Sequence, residues 1–96
     1  MTNLRVARKV ILSYWNRIAP NPFTSLTTLS FSLEKQDHVI LKVSDCQGNE
    51  VARPVNKIMS TGHYDNEWNG SFLPAGIYTC ILSVDGVMKD KKMVHI

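Results

Sequence analysis

Long apolar runs are missing from this sequence. None approaches the ~20 residues needed to cross a bilayer as a helix, so no membrane span is expected. Near the start, bases precede Val10-Ile11-Leu12, but that run is too short for a signal-peptide core. Cysteine is scarce, with only Cys46 and Cys80. Two are far too few for a disulfide framework, and neither has metal-ligand spacing. Each is read as a buried free thiol in preference to a bridge, which would need Cα atoms within about 7 Å. The three histidines, His38, His63 and His95, never pair at ligand spacing and are read as exposed strand-end or loop residues. No glycine-rich loop suits a phosphate, and no serine sits in a nucleophile elbow. These absences argue against a metal site, a cofactor and an enzyme.

What is present describes one small globular domain. The chain has 96 residues, 44% hydrophobic and 20% charged, a balance that argues against disorder. A domain of this size buries roughly 60–70% of its unfolded surface, enough for one core. The net charge of +3 is unevenly spread. Arg5, Arg8, Lys9 and Arg17 make the first seventeen residues basic, and Lys89, Lys91 and Lys92 outweigh Asp90 at the other end. The stretch between is acidic. Bases at both ends are a poor match to the single basic face of a nucleic-acid binder, so no nucleic-acid partner is expected.

The middle of the chain alternates with a period of two. Leu29, Phe31 and Leu33 share one face against Ser30 and Ser32. Val39, Leu41 and Val43 oppose Lys42. Tyr78, Cys80, Leu82 and Val84 oppose Ile77, Thr79, Ile81 and Ser83. Alternation places these sets on opposite faces of strands. Turn signals recur at the spacing of a sandwich or barrel, at 20–22, 34–37, 45–49, 60–62, 69–70, 74–76 and 85–86. Strands with one apolar face require two sheets packed together. Asp85-Gly86 suits a two-residue hairpin turn, and Gly48 lies in a longer hairpin loop. Pro54 marks its strand as an edge or a bulge. Residues 4–17 are read as a strand or an extended leader. The fold class is all-β, an antiparallel sandwich.

Asp65 and Glu67 fall on one side of a strand and form a candidate calcium or acid/base pair. Calcium needs six to eight oxygens, so a solvated strand face is the preferred reading. Asn69-Gly70-Ser71 matches a glycosylation sequon, but the glycine has a simpler use in a turn.

The order of the punctuation carries a resemblance. Pro20-Asn21-Pro22-Phe23 precedes the strand 27–33. His38-Val39-Ile40-Leu41-Lys42-Val43, Asp45-Cys46-Gln47-Gly48-Asn49-Glu50-Val51 and Trp68-Asn69-Gly70 follow. Leu73-Pro74-Ala75-Gly76-Ile77-Tyr78 and a closing Lys91-Lys92-Met93-Val94 complete the set. Together they closely resemble the C-terminal sorting domain, type A, of the type IX (Por) secretion system of Bacteroidetes. The set is also similar to the related immunoglobulin-like domain of the flagellar hook-capping protein.

The resemblance implies an immunoglobulin-like sandwich of about seven strands over residues 18–96, with 1–17 as leader or linker. It implies a signal that directs an N-terminal passenger through the periplasm to the cell surface. The implied partners are the outer-membrane translocon and a surface sortase, with cleavage around residues 5–18. Pro20, Asn21, Pro22, Gly48, Leu73, Pro74, Gly76, Tyr78, Lys91 and Lys92 are carried over as motif positions. Pro20 and Pro22 are expected to hold an extended entry anchored by Phe23, and Tyr78 to reach the core from its turn. Lys91 and Lys92 are the expected recognition residues, on the premise that the strand's charged end is free. The alternative is an accessory immunoglobulin-like module that binds carbohydrate or protein or serves assembly.

Overall fold

The computed structural model describes residues 13–96, and every strand in it pairs antiparallel. The strands are β1 (Ser13–Ala19), β2 (Leu26–Leu33), β3 (Asp37–Ser44), β4 (Glu50–Met59), β5 (Gly62–Asn69), β6 (Gly76–Val84) and β7 (Val87–His95). They form a three-stranded sheet in the order β1-β2-β5 and a four-stranded sheet in the order β4-β3-β6-β7. Residues 4–12 of the expected leader lie outside the described residues. The segment from Ser13 is a strand of the first sheet.

The alternating sets of the sequence become the interior. Leu29, Phe31, Leu33, Val39, Leu41, Val43, Cys80 and Leu82 are all essentially inaccessible to solvent. Burying one such aliphatic or aromatic side chain contributes roughly 1.5–3 kcal/mol. The strand β5 supplies a half-buried inner row of Tyr64, Asn66 and Trp68, opposite an exposed row that holds Asp65 and Glu67.

The turns follow their residues. Asp85 and Gly86 both take positive φ, 51° and 76°, which closes the β6–β7 hairpin in two residues. Gly48 has φ 87° in the β3–β4 loop. Asp45 organises that loop by accepting the backbone N–H groups of Gln47 and Asn49, each at 2.9 Å. Those bonds, Asn49 foremost, hold its carboxyl below the ordinary range. Pro54 sits both on an edge strand and in a bulge. Leu41 faces Val55 while Val43 faces Ala52, so Arg53 and Pro54 together oppose Lys42.

Three expectations are corrected. The Pro20–Pro22 segment bends where an extended entry was expected, because it connects two antiparallel neighbours, β1 and β2. The peptide bonds before Pro20 and Pro22 are both cis. Cys46 is exposed at a loop tip, and only Cys80 is buried; both thiols are free. His95 is buried, because the last strand carries it inward next to Phe23.

Candidate recognition site

The motif segments gather around the end of β7. Asn21 lies along its open edge, where its Nδ2 donates to the Lys92 carbonyl at 3.2 Å and its Oδ1 accepts the Val94 N–H at 2.8 Å. A side-chain amide holds one donor group and one acceptor, so Asn21 pairs with the strand as a peptide unit would. Phe23 continues the contact. Its N–H donates to the Val94 carbonyl at 2.8 Å, and its carbonyl accepts the Ile96 N–H at 3.0 Å. The Phe23 ring is 1% exposed and stacks on His95, with centroids 4.6 Å apart.

On the other side of β7, the register pairs Gly76 with His95 and Tyr78 with Met93. Tyr78 is buried, and its hydroxyl donates to the Pro74 carbonyl at 2.5 Å. A tyrosine at the start of a late strand, bonding back a few residues upstream, is the corner device of immunoglobulin-like sandwiches. Leu73 packs against the core beside this corner. Pro20 contributes its carbonyl, which accepts the Thr27 hydroxyl at 2.7 Å.

The far half of β7 is held by β1. The Trp15 indole N–H donates to the Lys89 carbonyl at 3.0 Å, and the Lys89 ammonium donates to the Ser13 carbonyl at 2.5 Å. Between the two clamps lie Asp90, Lys91 and Lys92, all exposed. Lys91 belongs to the row of Lys89, Met93 and His95, which faces the other sheet, and Lys92 stands on the outer face. Inward-directed lysines of this kind discourage strand-on-strand aggregation at a sheet edge.

The premise of a free strand end is therefore corrected. Val94 to Ile96 is tied to Asn21 and Phe23, because a segment carrying the core residues Met93 and His95 cannot hang loose without exposing them. Lys91 and Lys92 are accessible from a fixed backbone. Gly48 and Lys92 line one depression of about 530 Å³ on the outer face of the four-stranded sheet, together with Lys42, Ser44 and Thr79. Asn21 lies on the edge of β7, between Pro20 and Pro22 in the bend that leads to β2. Leu73, Pro74, Gly76 and Tyr78 lie beside it across β6.

Two features escaped the sequence. Gly70 is buried, and a Cβ there would come within 2.8 Å of the Trp68 ring and 2.9 Å of the Phe23 ring. The other is a polar network on the outer face of the three-stranded sheet. The Ser32 hydroxyl donates to Asn16 Oδ1 at 2.8 Å and lies 3.3 Å from His63 Nδ1. His63 Nε2 is 3.0 Å from Asp65 Oδ1, which also accepts the Ser30 hydroxyl at 2.7 Å. The Ser30 bond, aided by His63 and Arg17, keeps the Asp65 carboxyl below its ordinary range.

A serine, a histidine and an aspartate thus stand in line without the geometry of a nucleophilic triad. Ser32 is only 8% exposed, and its proton already points to Asn16. As a residue of the central strand, it has no pair of free backbone N–H groups to serve as an oxyanion hole. Among the described residues, no three His, Cys, Asp or Glu side chains are grouped to hold a metal ion. Among the described residues, no helix is long and apolar enough to cross a membrane.

No curated protein matches the chain. A family model described as the secretion system C-terminal sorting domain matches residues 17–96. That span takes in the last three residues of β1 and all of β2 to β7, with every motif segment that meets the final strand. The chain belongs to the family of type IX secretion system C-terminal sorting domains, whose members are signals for export to the cell surface or beyond.

Proposed function

We propose that this domain directs an N-terminal passenger through the type IX translocon, and that the signal is read on β7 at Lys91 and Lys92. The observation that carries this reading is the family match over residues 17–96. The clamped strand supports the choice of residues. Two exposed lysines are carried by a strand whose backbone is tied at both halves, so little backbone freedom remains to be lost on recognition. On this reading the passenger crosses the periplasm before the outer membrane, and a surface sortase then removes the domain.

A cut upstream of β1 fits this reading best. A cut between Ser13 and Ile18 would require β1 to leave β2 and would expose Ile18, which is 6% exposed. We infer that a sortase acting on the folded domain would cut before Ser13, in the part of the implied 5–18 span that precedes β1.

The test is a reporter with a periplasmic export signal, fused to residues 1–96 and expressed in a host with a type IX system. Removing residues 89–96 would take away Met93 and His95 and so confound folding with recognition. Lys91→Ala with Lys92→Ala is the cleaner change, because both side chains are exposed and each should alter stability by less than about 0.5 kcal/mol. The expected result is a normal melting curve with the reporter held in the periplasm. Surface delivery equal to the parent's would refute recognition through these lysines.

A further inference from the structure

The polar network on the three-stranded sheet is more elaborate than a solvated sheet face requires. Its origin is a bulge in β1. The register jumps between Trp15 and Arg17, so that Asn16 and Arg17 are both exposed on the side away from the core. A bulge of this kind re-aims a side chain that regular pleating would direct inward. Directly across, β2 and β5 supply Ser30 opposite Asp65 and Ser32 opposite His63. The two serines are 6% and 8% exposed, and both hydroxyls are committed within the network. They lock Asn16, His63 and Asp65 in place from below.

The locked groups retain unused capacity. Among the described residues, the Arg17 guanidinium, Asn16 Nδ2 and Asp65 Oδ2 have no hydrogen-bond partner. They border a depression of about 460 Å³ that Ala19, Thr28 and His63 help to line. That volume lies within the ordinary size range of small-molecule sites. Tyr14, paired with Ser32 on the same face of the sheet, presents an exposed ring next to the network.

We propose that this face binds a neutral saccharide. The donor and acceptor content selects the ligand class. An anion would suit Arg17 but meet the Asp65 carboxylate, and a cation would meet the reverse. An apolar ligand would leave Arg17, Asn16 and Asp65 desolvated without partners. A sugar hydroxyl both donates and accepts, so neighbouring hydroxyls can satisfy the planar groups of Arg17 and Asp65 at once. The Tyr14 ring offers an apolar surface for the C–H face of a pyranose. This site is on the opposite sheet from Lys92 and does not depend on the sorting reading.

The test is a ¹H–¹⁵N NMR titration of the whole chain with maltose, cellobiose, lactose and mannobiose, and with glucuronate as the anionic comparison. At least one neutral disaccharide should give saturable shifts at Asn16, Arg17, Ser30, His63 and Asp65, with a Kd of about 1 mM, a free energy of about −4.1 kcal/mol. Arg17→Ala, a change at an exposed side chain, should weaken that binding about tenfold while leaving the melting temperature in place. Lys42→Ala, on the other sheet, should leave the affinity unchanged. The proposal fails if none of the four disaccharides gives saturable shifts, if glucuronate alone binds, or if the shifts map to the four-stranded sheet.

Discussion

Substituting Gly70 by alanine tests the packing that anchors the final strand. Gly70 has no positive φ to protect, and its role is one of space. The added methyl would sit 2.8 and 2.9 Å from two atoms of the Trp68 ring and 2.9 Å from the Phe23 ring. Phe23 is 1% exposed and fixed by backbone bonds to Val94 and Ile96, so it cannot retreat. Trp68 is half-buried and must take most of the shift, which disturbs its contacts with Phe23 and Phe72. Forcing a methyl into a packed interior costs about 1–3 kcal/mol. For a domain of this size, each kcal/mol lowers the melting temperature by roughly 4–8 °C. Gly76→Ala is the internal comparison. Its Cβ would meet only Tyr78, at an ordinary 3.9 Å, and its backbone lies outside the left-handed region. That change should fall within about 0.5 kcal/mol of the parent, although Gly76 belongs to the recognisable Leu-Pro-x-Gly-x-Tyr run. Urea denaturation of the three proteins decides the matter. Equal stability of Gly70→Ala and the parent, or a loss at Gly76 as large as that at Gly70, would refute the reasoning.

The remaining predictions concern the thiols, the tyrosine corner and acid. A thiol reagent should label Cys46 in the native protein and Cys80 only as the chain unfolds, because burial pushes the Cys80 thiol up to about 12; mass spectrometry of partly labelled protein reads this directly. Tyr78→Phe removes the bond to the Pro74 carbonyl and should cost about 0.5–1.5 kcal/mol in urea denaturation, with the fold unchanged by circular dichroism. The carboxyls of Asp45, Glu50 and Asp65 are held below their ordinary values of 3.8, 4.5 and 3.8 by Asn49, Arg53 and Ser30 respectively. Each stabilises the native state fully above its ordinary value, and that contribution is lost as pH falls through the lowered native value. Melting temperatures should therefore drop below about pH 4, and the drop should be shallower in Asp45→Asn with Asp65→Asn.

How much of this was legible in the sequence depends on the range of the interaction. Alternation is local, and it identified Leu29, Phe31, Leu33, Val39, Leu41, Val43, Tyr78, Cys80, Leu82 and Val84 as interior; all ten are buried. Turn chemistry is also local, and Asp85-Gly86, Gly48 and Pro54 behave as their types require. Gly70 could not be read the same way. Its constraint comes from Phe23, 47 positions earlier, and no backbone rule marks it. His95 was misjudged for a related reason. A histidine at a strand end reads as exposed until Phe23 is found stacked on it. The network of Asn16, Ser32, His63 and Asp65 depends on a β1 bulge and on the β1-β2-β5 order, and neither can be counted from spacing. Ser30 and Ser32 do lie on the face opposite the core, yet being on the central strand they are covered by their neighbours.

The motif positions share a physical purpose that their scatter along the chain conceals. An edge strand is prone to fray, because it has a neighbour on one side only. Here that strand carries both core residues, Met93 and His95, and the exposed lysines. Asn21 substitutes for the missing neighbour with a side-chain amide, and Phe23 extends the substitution through its backbone and ring. The Tyr78 corner stiffens β6 from the other side, at the residues paired with Met93. Trp15 and Lys89 hold the far half. Nothing in this arrangement shields Lys91 or Lys92. The same bonds that stop the strand from fraying thus leave Lys91 and Lys92 in solvent on a held backbone. On the proposed reading, a signal recognised after folding is served by lysines carried on a held strand more than by the same two on a flexible tail.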